Sequence, residues 1–287
     1  DFYDIDGHFG TWDDMARLRE ELDSRGMYLM LDVVANHTGD FVYEPTGYFE
    51  RAAPPFDNPD WFHNKGPMKN TDDQYWLEVG DIGGGLDDID QANPEARAEL
   101  LKNIAWLREK TQADGFRLDT VRHAPKDFWK EYVEASGVFC MGEVLHGSPG
   151  YVGDYQKYIP GLLDFPLHFI IERTFSQQGS MRQLSQAFAT DHAYENPRLL
   201  GTFVDNHDRP RFLHVAGGGQ KGNWPKLKLA LTLVFTVRGF PVMYYGTEQA
   251  FDGGHDPDNR EDMVFNPDHP LYRHVAKLNE LRHNNSA

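Results

Sequence analysis

The fold is decided by the stretch Tyr28-Leu29-Met30-Leu31-Asp32-Val33-Val34, a nearly continuous apolar run of strand length. A strand with one face in water alternates apolar and polar residues, whereas an unbroken apolar run is typical of a strand that is covered on both faces. Both faces are covered mainly in parallel sheets, whose strands are joined by helical crossovers. The stretch therefore predicts a central strand of an α/β protein.

The same alternation of short apolar runs and amphipathic segments continues along the chain. Apolar runs predict strands, and segments with helical periodicity predict helices between them. Two helices carry start signals, Thr11 as an N-cap and Asn93 as an N-cap followed by a proline. Repeated βα units of this kind predict a parallel-stranded barrel. The predicted strands are 28–34, 115–118, 138–141, 162–165, 199–204 and 241–245, and the predicted helices are 13–25, 94–110, 126–135, 181–190, 225–237 and 271–282.

One long connection, residues 38–93, interrupts this alternation. It is rich in proline, glycine, aspartate and aromatic residues, and connections of that length in a compact domain are usually functional. We predict that 38–93 form a small subdomain inserted at the carboxyl end of the barrel strands, and that 1–37 and 94–287 form the barrel itself. Six strands are two fewer than a closed eightfold barrel needs, so we expect the barrel to be truncated at its N-terminus.

Charge and composition exclude several classes of function. The chain has 287 residues, with 28 basic and 45 acidic side chains and a net charge of -17. A surface this acidic repels phosphate backbones and anionic lipid, so we expect neither nucleic acid nor a membrane as a partner. We expect a monomer, although the charge does not decide the oligomeric state. The single Cys140 excludes an intramolecular disulfide and any multi-cysteine metal site within the chain.

Four short segments place polar side chains at or just after the end of a predicted strand. The carboxyl ends of barrel strands surround one opening, where catalytic groups gather. A lone aspartate there more often turns the chain or caps a helix, but four segments on separate strands indicate a site. The segments are Asp32-Val33-Val34-Ala35-Asn36-His37, Gly115-Phe116-Arg117-Leu118-Asp119-Thr120-Val121-Arg122-His123, Gly142-Glu143-Val144 and Phe203-Val204-Asp205-Asn206-His207-Asp208.

In order and content, these four segments resemble the signature regions of the α-amylase family of glycoside hydrolases. The resemblance runs nearly from end to end. It is strongest to fungal-type α-amylases at 26–37, 127–129, 142–145 and 201–208, while 245–249 and 256–260 are shared with cyclodextrin-forming relatives. It implies a (β/α)8 TIM barrel, of which the first two strands and the common C-terminal β-sandwich are missing here. It also implies a secreted enzyme that hydrolyses internal α-1,4-glucosidic bonds of starch-like glucans with retention.

Three carboxylates would carry this chemistry. Retaining hydrolysis needs an ionised nucleophile and a protonated carboxyl group about 5–5.5 Å apart. Arg117 stands two residues before Asp119, on the same side of a strand, where its guanidinium would keep that carboxylate charged. The resemblance assigns Asp119 as nucleophile, Glu143 as proton donor and Asp208 as the group that stabilises the transition state. Glu143 follows an apolar strand, and burial near other carboxylates would help it to keep its proton.

The resemblance also assigns substrate contacts. His37 and His207 would hydrogen-bond sugar hydroxyls around the cleaved bond. Arg122 and His123 would contact the sugar on the leaving-group side, and Arg260 would add a further contact.

A calcium ion is the cofactor that the resemblance implies. Calcium takes oxygen ligands from side chains, carbonyl groups and water. The family's site uses an asparagine, a carboxylate of the inserted subdomain and a backbone carbonyl past the nucleophile strand. Here these positions fall on Asn36, Asp88 and His123. The context of Asp88 departs from the family pattern, because Asp87 stands where a proline is common.

Two other functions stay open at this stage. One is a transglycosylase that forms cyclodextrins or rearranged glucans, since acceptor choice depends on aromatic subsites that the sequence does not place. The other is a non-catalytic barrel that serves as a binding module. Such modules typically lose one of the three carboxylates, and this chain retains Asp119, Glu143 and Asp208.

Overall fold

The computed structural model describes residues 1–39, 53–83 and 85–285, which fall into two compact units. The first unit comprises residues 1–145 and 158–161, and the second comprises 146–157 and 162–287. Residues 40–52 and Gly84 belong to the predicted inserted subdomain and lie outside the described residues. The division of the chain into a barrel and an inserted subdomain therefore stays a prediction. Within the part that is described, none of the helices is both long and apolar enough to cross a membrane.

The first unit carries three parallel strands with helices between them. Strand β1 pairs with β2, and β2 pairs with β3, all in parallel. The prediction of parallel strands joined by helices is confirmed for this unit. Its strands are β1 (Met30–Val33), β2 (Gly115–Leu118) and β3 (Phe139–Gly142), and its helices are α1 (Trp12–Ser24), α2 (Gln74–Val79), α3 (Pro94–Thr111) and α4 (Lys126–Ser136).

Both predicted N-caps hold the helices that they precede. The Thr11 side chain accepts a hydrogen bond from the amide of Asp14, whose carboxylate accepts one from the Thr11 amide in return. The Asn93 side chain accepts from the amides of Glu95 and Ala96 at the start of α3. These bonds satisfy amide groups that have no partner inside the helix. Helix α3 then packs on α4, and the buried face includes Leu100, Ile104, Phe128 and Trp129.

The second unit has the same design. Strand β4 pairs in parallel with β5, and β5 with β6. Helices α6, α9 and α10 supply much of the core, which includes Leu167, Leu231, Val234 and Leu271. The strands are β4 (Gly161–Leu163), which starts on the last residue of the first unit, β5 (Leu200–Thr202) and β6 (Phe240–Pro241), and the helices are α5 (Pro149–Asp154), α6 (Phe165–Ile171), α7 (Arg182–Ala189), α8 (Phe212–Val215), α9 (Trp224–Thr236) and α10 (Pro270–Asn284).

Three predicted strands extended two or more residues too far at their C-terminal ends. The fifth was expected to reach Val204 but ends at Thr202. The fourth strand was expected to reach Phe165, but it ends at Leu163 because Asp164 caps α6 by accepting the amide of Leu167. The sixth was expected at 241–245, but it covers only Phe240–Pro241. Beyond it the rings of Tyr244 and Tyr245 turn towards the Arg211 guanidinium, 3.9 and 5.0 Å from the two ring centroids. Because these two neighbouring rings both pack near the buried guanidinium, their side chains do not point to opposite faces as they would in a strand.

Helix α6 buries a histidine that the predicted chemistry does not use. His168 is 1% exposed, and its ring stacks on Phe203 with centroids 4.7 Å apart and planes 12° apart. Burial, helped by the nearby positive charge of Arg209, lowers the pKa of His168 to about 3. The imidazole therefore binds a proton far more weakly in the folded protein than in the unfolded chain.

We predict that His168→Phe makes the protein less sensitive to acid. Because the folded pKa lies below the ordinary value of 6.5, the neutral ring supports the fold fully above pH 6.5, and this support is lost as the pH falls towards 3. One such group changes the free energy of unfolding by up to about 1.4 kcal/mol per pH unit. Urea unfolding at several pH values should give a shallower slope for the variant, which retains the ring stack. A slope equal to that of the wild type, or an equal change in the control His192→Phe at an exposed position, would contradict the prediction.

Candidate active site

Strand pairing places two of the predicted carboxylates side by side in the first unit. Leu118 and Gly142 are register partners at the ends of β2 and β3, so Asp119 and Glu143 leave neighbouring strands at the same level. The pairing continues past the strand ends, because the Glu143 amide donates to the Leu118 carbonyl over 2.8 Å. The Asp119 amide likewise donates to the Val33 carbonyl over 3.0 Å. Backbone hydrogen bonds thus fix the point from which each carboxylate extends.

One guanidinium joins the carboxylates. Arg117 Nη1 lies 2.6 Å from Asp119 Oδ1 and 2.8 Å from Asp32 Oδ1, and Nη2 lies 3.0 Å from Glu143 Oε2. The contact predicted between Arg117 and Asp119 is therefore present. Burial on its own would lower the pKa of Arg117, but the charges of Glu143, Asp32 and Asp119 outweigh it and raise that pKa, so the side chain stays charged.

Glu143 is the more buried of the two catalytic candidates in this unit. Its side chain is 7% exposed, whereas that of Asp119 is 17% exposed. Glu143 Oε2 also accepts a hydrogen bond from the Thr120 amide at 3.2 Å. Thr120 has a φ of 49°, in the left-handed region that costs energy for a β-branched residue. The strained turn after Asp119 thus aims a backbone donor at Glu143.

Asp32 was quoted in the sequence motif but was given no role there. It is the register partner of Arg117 on the neighbouring strand β1, which explains why its carboxylate reaches the same guanidinium. A pairing of this kind could have been anticipated only from the register of two strands that are 85 residues apart. The cluster therefore contains three carboxylates around one cation.

Two predicted substrate histidines lie close to this cluster in the charge-neutral form. Burial lowers the pKa of His37, and the charge of Asp119 opposes the shift only in part. Burial also lowers the pKa of His123 to about 4, helped by the positive charge of Arg122. His123 Nδ1 lies 3.1 Å from the Leu77 carbonyl. Neutral rings can donate and accept hydrogen bonds, which suits contact with uncharged hydroxyl groups.

The predicted contact Arg122 is held by backbone carbonyl groups. Its Nη1 donates to the Leu145 carbonyl over 2.7 Å, and its Nη2 donates to the Thr71 carbonyl over 2.8 Å. The side chain thereby ties the predicted insertion to the segment that follows Glu143. A contact between Arg122 and a sugar stays a prediction.

A cavity of about 510 Å³ lies along β1 in the first unit. Asp32 and His37 line it together with apolar side chains that include Leu31 and Val33. The histidine of the first motif therefore borders open space, whereas Asp119 and Glu143 do not line this cavity.

The remaining predicted residues lie in the second unit. Asp208 is exposed, with Oδ2 3.4 Å from His207 Nε2, and its amide donates to Asn206 Oδ1 at 3.1 Å. Arg260 is half-exposed, and its Nε lies 2.5 Å from Asp256 Oδ1. The side chains of His207 and Asp208 thus lie beside each other. The convergence of Asp208 with Asp119 and Glu143 stays a prediction.

Two of the three residues predicted for calcium are in direct contact. Asn36 Nδ2 donates to Asp88 Oδ1 over 2.9 Å, and both side chains are buried. Among the described residues, none forms a hydrogen bond with the buried Asn36 Oδ1, so an oxygen donor remains available there. His63, which the sequence analysis missed, has Nδ1 2.6 Å from Asp88 Oδ2. No pattern in its weakly periodic surroundings marks that histidine.

The calcium site predicted here does not consist of several acidic or histidine side chains. In the described ranges, no three His, Cys, Asp or Glu side chains converge so that they could hold a metal ion. The predicted set instead combines an amide oxygen, one carboxylate and a backbone carbonyl, which are oxygen donors of the type that calcium takes. The chemistry of Asn36 and Asp88 fits that ion, and the part of His123 stays a prediction.

Parallel strands joined by helices, with paired carboxylates at the carboxyl ends of two neighbours, define an enzyme of the α/β barrel class. The family model for the α-amylase catalytic domain matches residues 1–274. The chain belongs to the α-amylase family of glycoside hydrolases.

Known proteins share the sequence over most of this chain. It is 45% identical over 294 residues to the β/α-amylase of Paenibacillus polymyxa. This alignment covers 100% of this chain and 24% of that protein. An α-amylase structure from Anoxybacillus is 41% identical with a TM-score of 0.90, covering 100% of this chain and 63% of that one. A cyclomaltodextrin glucanotransferase structure is 29% identical with a TM-score of 0.88, and the match covers 100% of this chain and 62% of that one. The predicted fold class is confirmed, and the chain spans less than two thirds of each of these relatives.

Proposed function

We propose that the protein hydrolyses internal α-1,4-glucosidic bonds of starch-like glucans with retention of configuration. The observation that carries this proposal is the pairing of Asp119 and Glu143 at adjacent strand ends around the single guanidinium of Arg117. Retaining glycosidases need two carboxyl groups close enough to act from the two sides of one bond. Membership of the α-amylase family supports the choice of an α-glucan as substrate.

The reaction has two steps. In the first, an Asp119 oxygen attacks the anomeric carbon and forms an ester, while Glu143 gives its proton to the departing glycosidic oxygen. In the second, Glu143 takes a proton from water, whose oxygen attacks the same carbon and releases Asp119 as a carboxylate. The contact of Arg117 Nη1 with Asp119 Oδ1 orients that carboxylate for attack. Glu143, the more buried of the two carboxyl groups, would supply the proton that the first step requires.

The other predicted residues would bind the glucan. His37 and His207 would hydrogen-bond hydroxyl groups around the cleaved bond, and Asp208 would stabilise the positive charge that develops on the sugar. Arg122, His123 and Arg260 would contact sugars farther along the chain. A glucan polymer is too large to enter a cell, so we also propose an extracellular location. A monomer remains the proposed oligomeric state.

Transglycosylation is the second candidate function, and the similarity to a cyclomaltodextrin glucanotransferase supports it. The first step would be the same, but a sugar hydroxyl group would replace water in the second. Cyclic or lengthened products from starch would show transfer, whereas linear shorter products would show hydrolysis. The retention of all three carboxylates speaks against a non-catalytic binding module.

We propose that Asn36 and Asp88 take part in a calcium site together with the backbone carbonyl of His123. The buried Asn36 Oδ1 and the buried Asp88 carboxylate support this assignment. When bound, the ion would join the segment after β1 to the predicted insertion through oxygen contacts. Its contribution would be structural, since Asp119 and Glu143 supply the acid, base and nucleophile.

We predict that Asp119→Asn and Glu143→Gln each abolish starch hydrolysis in the intact protein. Loss of a general acid costs about 10²–10⁴-fold in rate, and loss of the nucleophile removes the covalent route itself. Reducing-sugar release from starch measures the effect. Matched controls are Asp127→Asn and Glu131→Gln, because these surface carboxylates also share one arginine, Arg97. Wild-type turnover in either active-site variant would remove the assignment.

We predict that a calcium chelator lowers the thermal unfolding midpoint of the wild type and that added Ca²⁺ restores it. A ligand at a hundred times its Kd adds about 2.7 kcal/mol to the free energy of unfolding. Asn36→Ala should unfold at the same temperature with and without calcium, because it removes an oxygen ligand. The control Asn70→Ala, at an exposed position of the same unit, should respond as the wild type does. A chelator response that persists in Asn36→Ala would refute the site.

A further inference from the structure

We propose that Asn259 is a positioning residue that sets the backbone of Asp208, a role that rests on the proposed function of Asp208. Asn259 is fully buried, with 0% of its surface exposed. Its Nδ2 donates to the His207 carbonyl over 2.8 Å and to the Arg209 carbonyl over 2.9 Å. The two hydrogens of one amide therefore hold the carbonyl groups on either side of Asp208.

The orientation of this amide follows from its partners. Both partners are carbonyl oxygens, which only accept, so the NH₂ group must face them and Oδ1 must point away. A side chain without two hydrogens on one atom could not serve both carbonyls at once. An uncharged side chain of this size meets the requirement only if it ends in an amide.

The segment that carries Asp208, residues 205–211, is also held at its two ends. Asp205 is buried, and its carboxylate accepts the Phe212 amide at 3.0 Å and the Thr247 hydroxyl at 2.8 Å. Arg211 is buried too, and its Nη1 donates to the Tyr245 carbonyl over 2.6 Å. Asn259 acts between these anchors, where Asp208 itself is exposed. It thus supports the part of the segment that must present a carboxylate to the substrate.

The loop that carries Asn259 has its own supports. Glu261 Oε1 accepts the amides of Asp252 and Gly253 at 3.0 and 2.7 Å. A side chain at Gly253 would meet the Asp258 carbonyl oxygen at 1.8 Å, so the loop folds back on itself at a position that only glycine allows. A loop closed in this way can hold Asn259 still. Arg260, the next residue, is half-exposed, so one loop both supports Asp208 and presents a predicted sugar contact.

The central test is Asn259→Asp in the intact protein. The aspartate has nearly the same shape but would set a carboxylate oxygen against two carbonyl oxygens in place of two hydrogen bonds. We expect kcat on starch to fall by about 10–100-fold, because a small misplacement of a catalytic group has effects of that size. We expect KM to change much less. The matched control is Asn223→Asp, whose Nδ2 donates to the Gly218 carbonyl over 2.8 Å in the same unit, and it should retain wild-type kcat.

A double variant separates positioning from general damage. If Asn259 acts through Asp208, Asn259→Asp should reduce the residual activity of Asp208→Asn by less than about twofold. The proposal would be overturned if Asn259→Asp reduced the activity of Asp208→Asn by the same factor as it reduces that of the wild type. It would also be overturned if Asn259→Asp alone retained the wild-type kcat. Should Asn259→Asp fail to fold, Asn259→Ser replaces it in the same assays. Serine retains one donor, and an intermediate loss of kcat is expected.

Hydrogen exchange supplies a readout that does not depend on turnover. Asn259→Asp should speed exchange of the backbone amides at 206–209, while the amides of β5 stay protected. Unchanged exchange at 206–209 would refute the positioning role even if the wild type cleaved no glucan. Conversely, a wild type without activity on starch would refute the proposed function and leave the exchange result to decide the role of Asn259.

Discussion

The first unit depends on one guanidinium that serves three carboxylates. Carboxyl groups this close repel one another whenever they are ionised, and Arg117 offsets that repulsion by contacting Asp32, Asp119 and Glu143 together. The geometry follows from parallel pairing, which makes Asp32 the register partner of Arg117 and Leu118 that of Gly142. A shift of one residue in either pairing would turn a carboxylate to the other face of the sheet. Strand register is therefore the constraint from which the proposed chemistry follows.

In both units, hydrogen bonds fix the backbone from which the catalytic candidates extend. Glu143 and Asp119 leave strands whose hydrogen bonding continues one residue beyond the strand ends. Asp208 leaves a segment whose carbonyl groups are held by Asn259. Side chains on supported backbone need little ordering when substrate binds, which is how preorganised sites lower a reaction barrier. The supporting residues are buried and the presented ones are more exposed, so the same segments combine stability with access.

Features that depend on local pattern could be predicted from the sequence. The N-caps Thr11 and Asn93 and the Arg117–Asp119 contact arise from neighbours in the chain, and the comparisons confirm the barrel family. Features that depend on distant partners could not be predicted. The last strand ends at Pro241 because tyrosines pack on Arg211, and Asp88 meets His63 inside a segment with little periodicity. Asn259 lies in the stretch 256–260, which was noted only for its resemblance, and its role exists only once it has folded back onto carbonyl groups 50 and 52 positions earlier in the chain.

The stereochemistry of the first product tests the central claim most directly. If Arg117 gathers Asp119 and Glu143 around one bond, the sugar passes through two displacements and the newly formed reducing end has the α configuration. Proton NMR of maltooligosaccharide cleavage, recorded before mutarotation, distinguishes the anomers. We expect the α anomer to appear first. Initial release of the β anomer would mean a single displacement by water, and it would contradict the role given to the Arg117 cluster.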